Sequence, residues 1–289
     1  MKITMKKITA AVLTISGVFG LLGARSAQAA PLFWAINQFT TIQQLNGDTG
    51  AVVDSFAVPF GSGIAASIAV IGNTGYYTRL NDANVYKVDM TSHTYGGIAF
   101  NTGDSSSMNG ITVDSAGNLW FAHGGASALQ QFNASGTLLS THAFPTAANS
   151  YRDGSVVFGG FLVANRGDQQ GPYDKYAIPG ANNPLTYVAQ PFITDPVQNS
   201  GNNGIAFNGT NFYVSNEQLH QVCKYSSSGV FGSCAPLAAS SRYENWTFAS
   251  QDIGPPGGTV PEPSTLALLG LALFSIRLVQ RRKLSQLAS

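Results

Sequence analysis

Asn109-Gly110-Ile111-Thr112-Val113-Asp114-Ser115-Ala116-Gly117-Asn118-Leu119-Trp120-Phe121-Ala122-His123 decides the fold of this chain. Two short apolar runs rich in β-branched and aromatic residues flank Ser-Ala-Gly-Asn, whose residues favour a tight turn. Leu129-Gln130-Gln131-Phe132 follows, then the turn Asn133-Ala134-Ser135-Gly136 and the run Thr137-Leu138-Leu139. The stretch predicts four short antiparallel strands joined by hairpins.

The same grammar returns along the chain. Asn203-Gly204-Ile205-Ala206-Phe207 is separated by Asn208-Gly209-Thr210-Asn211 from Phe212-Tyr213-Val214-Ser215-Asn216, and Val222-Cys223-Lys224-Tyr225 precedes Ser226-Ser227-Ser228-Gly229. Weaker copies start at Ile68-Ala69-Val70-Ile71 and at Val156-Val157-Phe158. The equivalent positions Ile68, Ile111, Val156 and Ile205 lie 43, 45 and 49 residues apart. A four-stranded unit repeated every 40 to 50 residues or so is the mark of a β-propeller blade. The expected class is therefore all-β.

The ends complement each other. Trp246-Thr247-Phe248-Ala249 reads as a first strand with no second behind it, and Leu32-Phe33-Trp34-Ala35-Ile36 as a second strand with no first before it. If the late strand completes the early blade, the ring closes without a free edge. The expected blades are residues 243–253 with 31–60, then 64–104, 107–149, 152–198 and 201–240. A sixth is admitted if 152–198 hides a degenerate unit.

Charge divides the chain in the same way. The 289 residues carry a formal net charge of +1, but residues 1–30 contribute +4 and residues 260–289 contribute +3, which leaves the body at −6. A body with no basic stripe does not offer the cationic surface that nucleic acid requires. The N-terminus, with Lys2, Lys6 and Lys7, an apolar run from Ile8 to Leu22 and the Ala27-Gln28-Ala29 site, reads as a secretory signal peptide over 1–29. Residues 31–254 are then the propeller, 255–259 a Gly/Pro linker, and 260–283 a tail: Val260-Pro261-Glu262-Pro263, an apolar run from Leu266 to Val279, then Arg281-Arg282-Lys283. A short membrane helix with basic residues kept on the cytoplasmic side would leave the body outside.

This tripartite tail resembles the PEP-CTERM sorting signal of exported bacterial proteins. The resemblance implies an exosortase-type processing enzyme as partner, with Pro261, Glu262 and Pro263 as the residues it recognises. It also implies anchorage in the inner membrane before processing, and an exopolysaccharide matrix as surroundings. Arg277 inside the apolar run and the extension Leu284 to Ser289 depart from the pattern.

The Asn109 to His123 stretch resembles NHL-type propellers, including the gluconolactonase-like group. In that group, polar positions just before the inner strands hold a divalent cation that positions a lactone and activates water. The matching positions here are Glu244, Asn109, Asp153 and Asn203, with only Ala66 in the second blade. Their oxygens suit a hard cation such as calcium; the plainer reading is that they satisfy backbone groups at the turn.

A second set closes the second strand of each blade: Asn37, Arg79, His123, Asn165 and Asn216. Such a mixed ring suits hydrogen bonding to a glycan or another polar ligand, or else caps the strand ends. Cys223 and Cys234, nearly symmetric about a hairpin turn in an exported chain, are expected to form a disulfide. His93, His123, His142 and His220 have no metal-ligand spacing and are expected on the surface or in loops. No G-x-S-x-G, H-E-x-x-H, P-loop or G-x-G-x-x-G stretch is present. The leading expectation is a non-catalytic, surface-sorted binding or structural protein of the envelope or matrix. The alternative is a metal-dependent lactonase-like hydrolase.

Overall fold

The computed structural model describes residues 31–37, 40–58, 65–104, 108–123, 128–145, 154–165, 172–194, 204–216 and 219–237, with backbone only for Met108, Asn109 and His123. The first blade holds β1 (Leu32–Asn37), β2 (Thr41–Asn46) and β3 (Val52–Ala57). The second holds β4 (Ala65–Ile71), β5 (Thr74–Arg79), β6 (Asn84–Asp89) and β7 (Tyr95–Asn101). The third holds β8 (Met108–Val113), β9 (Leu119–His123), β10 (Ala128–Phe132) and β11 (Leu138–Ala143). The fourth holds β12 (Ser155–Phe158), β13 (Phe161–Asn165), β14 (Tyr173–Ala177) and β15 (Thr186–Ile193), and the fifth β16 (Ile205–Phe207), β17 (Asn211–Asn216), β18 (Gln221–Ser226) and β19 (Phe231–Pro236).

Each blade is an antiparallel sheet with its strands in chain order. In blades two to five the first strand is innermost, as expected for a propeller. The first blade shows three strands among the described residues, and the segment expected to complete it, 243–253, lies outside them. The described residues within 152–198 form one four-stranded sheet, and no sixth unit stands among them. Their extra length goes into long connections such as 178–185.

The second strands explain why this sequence reads as continuous apolar runs. Successive side chains of a strand point to opposite faces, and here each face meets a neighbouring blade. In β1, Phe33 and Ala35 pack with Tyr213, Val222 and Leu237 of the fifth blade, while Trp34 and Ile36 pack with Ile68 and Tyr77 of the second. In β9, Leu119 and Phe121 face the second blade, and Trp120 and Ala122 the fourth. With the cluster between blades four and five, the core is divided into five, one at each junction of the ring.

The junction between blades five and one is thereby closed by apolar packing. Phe33 and Tyr213 meet at 4.7 Å between ring centroids. Asp48 adds an ion pair to Lys224 at 3.1 Å and accepts a hydrogen bond from the Tyr213 hydroxyl at 3.3 Å. Burying one such ring is worth about 1.5–3 kcal/mol, whereas a half-exposed ion pair gives roughly 0–1 kcal/mol. The charges therefore orient this junction more than they stabilise it.

A second contact repeats around the circumference: the turn between third and fourth strands of each blade rests on the outer strand of the blade before it. In the first blade, Gly50 lies against the Pro236 carbonyl. In the second, His93 stacks on Phe56 at 3.9 Å and bonds Asp54 at 3.0 Å. Gly136 of the third rests on Phe100, and Gly229 of the fifth on the Phe192 carbonyl. In the fourth, the longer 178–185 loop supplies the Asn182 side-chain oxygen to Thr141 N at 3.0 Å and Leu185 N to the Ala143 carbonyl at 2.9 Å.

That loop corrects the expectation for His142. The residue sits on β11 and is buried, stacked on Trp120, with Nδ1–H donating to the Asn183 carbonyl at 2.8 Å. An outer-strand histidine becomes interior here because the next blade covers it.

Cys223 and Cys234 form the expected disulfide and are direct register partners on β18 and β19. The bond clamps the outermost strand of the last blade to its neighbour; it does not link two blades. Closing a loop of 11 residues' separation stabilises by about 2–3 kcal/mol on the chain-entropy account. Reduction is therefore expected to lower the urea midpoint by that equivalent, and an unchanged midpoint would show that β19 holds without the clamp.

Candidate functional site

Antiparallel pairing carries the ends of all second strands and the starts of the inner strands to the same end of each blade. Asn37, Arg79, His123, Asn165 and Asn216 are the last residues of β1, β5, β9, β13 and β17. The structure thus places the whole polar set at equivalent points of the five blades. Asn37, Asn165 and Asn216 are buried, while Arg79 is half-buried.

Their roles differ. Asn216 accepts from Leu219 N at 3.0 Å and caps the turn that follows, as the plainer sequence reading holds. Asn37 donates through Nδ2 to Gln43 Oε1 at 3.1 Å, yet its own Oδ1 is buried without a hydrogen-bond partner, at 7% residue exposure. Arg79 lies 5.6 Å from the Tyr86 ring centroid. Beside it, Asp82 accepts from the Tyr86 hydroxyl and from the backbone and side-chain amides of Asn84, both at 2.9 Å. Burial pulls the Asp82 pKa upward, but these donors and nearby Arg79 outweigh it and hold the carboxyl below its usual range. Arg79 therefore has a permanent counter-charge at neutral pH.

The inner-strand starts add residues that sequence reasoning missed. Ser67 Oγ accepts from Ile111 N at 3.0 Å and ties the second blade to the third. Gly204 N donates to Ser215 Oγ at 2.8 Å, and the Tyr173 hydroxyl donates to the Gly204 carbonyl at 3.2 Å. Ser155 occupies the repeat position of Ser67, is fully buried, and its Oγ has no partner. Aligning the repeats on Ile68 and Val156 would have put these two serines in one column. Which of them is satisfied depends on the neighbouring blade.

For the proposed metal set, Glu244, Asp153 and Asn203 lie outside the described residues, and Asn109 is described in backbone only. The β8–β9 register shifts between Met108 and Gly110, so Asn109 stands at a β-bulge. Ala66 stands at the same bulge in the second blade, between Ala65 and Ser67. These two positions are thus equivalent in the backbone, and Ala66 brings no side-chain oxygen to the set. Among the described residues, no group of three or more His, Cys, Asp or Glu side chains stands together as a cation site. The tripeptide Pro261, Glu262, Pro263 and the expected signal peptide and membrane helix also lie outside the described residues.

A family model, the PEP-CTERM protein-sorting motif, matches residues 259–283. The motif implies an exported chain that is anchored in a membrane and then processed by an exosortase. No curated protein matches the chain. Among solved structures, a chain of the nidogen/laminin complex aligns with a TM-score of 0.52 at 12% identity, over 76% of this chain and 98% of that one. Virginiamycin B lyase from Staphylococcus aureus aligns with a TM-score of 0.44 at 16% identity, over 70% of this chain and 64% of that one. At 12% identity the first of these likenesses speaks for fold alone. With five blades packed in a closed circuit and the motif behind them, the chain is a five-bladed β-propeller that carries a C-terminal PEP-CTERM sorting motif.

Proposed function

We propose that this is a non-catalytic binding or structural protein of the bacterial envelope or exopolysaccharide matrix, holding a polar, glycan-like ligand at the second-strand ends of the propeller. The observation that carries the reading is that two of the buried polar atoms without partners, Asn37 Oδ1 and Ser155 Oγ, stand at this end of the blades. An unsatisfied buried polar group costs about 1–3 kcal/mol, and a ligand hydroxyl would offset that cost on binding. Arg79 supplies donors from the same end of the blades, and a carbohydrate has hydroxyls that can both donate and accept. Pro261, Glu262 and Pro263 are the residues the processing enzyme reads, and the apolar run behind them holds the chain in the inner membrane until then.

Titration of the purified protein with extracellular polysaccharide tests this. Asn37→Ala and Arg79→Ala should each weaken binding on the order of tenfold, the equivalent of one good hydrogen bond. Saturable binding that ignores both substitutions would remove the assignment.

The second reading is a calcium-dependent lactonase-like hydrolase using Glu244, Asn109, Asp153 and Asn203. Bulges such as that at Asn109 are over-represented beside active sites, which favours it; Ala66 at the equivalent bulge counts against it. Calorimetry with calcium decides. Binding abolished in Asp153→Ala supports a metal site, and no heat at millimolar calcium removes it.

A further inference from the structure

Ten of the eleven exposed large hydrophobic residues among those described lie on, or immediately before, the outermost strands, two in each of the five blades. All follow closely on the turn between third and fourth strands. The arrangement has a structural cause. Every outer strand begins with a register shift against its neighbour, at Gln44/Leu45, Lys87/Val88, Gln131/Phe132, Lys175/Tyr176 and Lys224/Tyr225. The extra residue of such a bulge is unpaired and bends the strand. In three blades it is a large aliphatic, Val53, Leu139 or Val188, with 55%, 44% and 52% of its surface exposed. Ile98 and Phe231 stand on the same stretch of the other two outer strands.

We infer that these residues form a level apolar girdle that seats the propeller on a lipid surface while the chain is tethered. Five of the ten, Val52, Tyr95, Leu138, Tyr187 and Phe231, take the same register position on the turn side of the shift and so lie at one height around the ring, where one flat partner reaches all five. A second copy meeting the rim from the side would touch one blade's pair, far short of the roughly 800 Å² per partner that a stable interface needs. The bulges also spoil the edge as a template for another sheet.

The tether supplies the occupant. The sorting motif at 259–283 implies membrane anchorage. Pro31, two residues beyond the expected signal-peptide site, enters at the girdle's end of the blade, its carbonyl accepting from Gly47 N of the first blade's outer turn at 2.8 Å. Tethering raises the local lipid concentration enough for a weak apolar contact to persist. Charges beside the girdle are of both signs, with Asp48 paired to Lys224 at 3.1 Å and Lys87 and Asp89 together on β6, so the surface it fits is zwitterionic.

The test uses the full chain in phosphatidylcholine vesicles doped with a phosphatidylcholine carrying a diazirine, followed by peptide mapping. Cross-links should fall on the Val53, Leu139 and Val188 peptides as well as on 266–279. The combined variant Val53→Ser, Leu139→Ser, Val188→Ser should lose on the order of fivefold of its body labelling, with tail labelling and melting temperature unchanged. Ile98→Glu serves as a single-site second variant. Labelling confined to the tail, or equal labelling at the opposite end of the blades, overturns the inference. So does protection of the girdle in lipid-free protein accompanied by chain-to-chain cross-links, which would make the partner a second copy.

Discussion

Gly50→Ala is expected to destabilise the protein by about 3 kcal/mol or more, because it strikes the junction where the ring closes. Gly50 has φ +70°, a region that costs an alanine roughly 1–2 kcal/mol by itself. A Cβ there would also stand 2.1 Å from the Pro236 carbonyl oxygen on the last strand of the fifth blade. That atom is backbone, and β19 is clamped by the disulfide, so neither side yields easily. Gly117→Ala is the control: φ is +78°, but nothing lies within 4 Å of its Cβ position. For a domain of this size about 3 kcal/mol lowers the melting temperature by roughly 6–12 °C. Thermal melts followed by circular dichroism should separate the two variants; equal losses would mean that the first turn does not press on the last strand.

Asp114→Ala should cost a similar amount, about 3 kcal/mol, through a different mechanism. One carboxylate oxygen accepts from Ala116 N and Asn118 N, both at 2.9 Å, and shapes the hairpin turn. The other accepts from the Trp120 indole at 2.8 Å and from the side chains of Asn118 and Gln131 at 3.1 Å. Gln131 in turn accepts from Ser140, which is bonded to the buried His142. Removing the carboxylate leaves a buried indole N–H unpaired and frees the glutamine that orients this chain of bonds. Asp114→Asn keeps the turn acceptors but presents an NH2 group to three donors, so it should recover only part of the loss. Urea unfolding followed by tryptophan emission reads both variants, and an alanine variant as stable as the parent would show that water replaces the carboxylate at no cost.

Both sites show where reading the residues succeeds. Asp114 and Gly117 belong to a hairpin whose turn chemistry is local, so the stretch from Asn109 to His123 was legible as two strands and a turn. The apolar second strands were legible because burial on both faces leaves no polar alternation. The blade count followed from spacing, and only the fourth repeat was ambiguous, since long connections stretch it. The disulfide was legible because register partners near a hairpin turn are almost equidistant from it.

The site was less legible. Asn37 and Asn216 look alike in the sequence, at the same point of the repeat. Asn216 is satisfied by a turn amide, while one oxygen of Asn37 is left over. Ser67 and Ser155 share a repeat position, yet only the first reaches a backbone amide of the following blade. His142 reads as an outer-strand residue and becomes interior when the next blade's loop folds over it.

What the chain's sequence determined by itself is therefore everything carried by short-range chemistry: the strands, their turns, the blade period, the sorting tail and the separation of charge between body and ends. What only the tertiary structure decided is everything that depends on which blade stands beside which: the division of the core into five junctions, the clash awaiting a side chain at Gly50, the polar atoms left unpaired, and the level at which the outer apolar residues lie. The reason is geometric. A repeat specifies each blade to the same pattern, but the partner of any surface atom belongs to a neighbour some 40 or more residues away, and no local rule states what that neighbour presents.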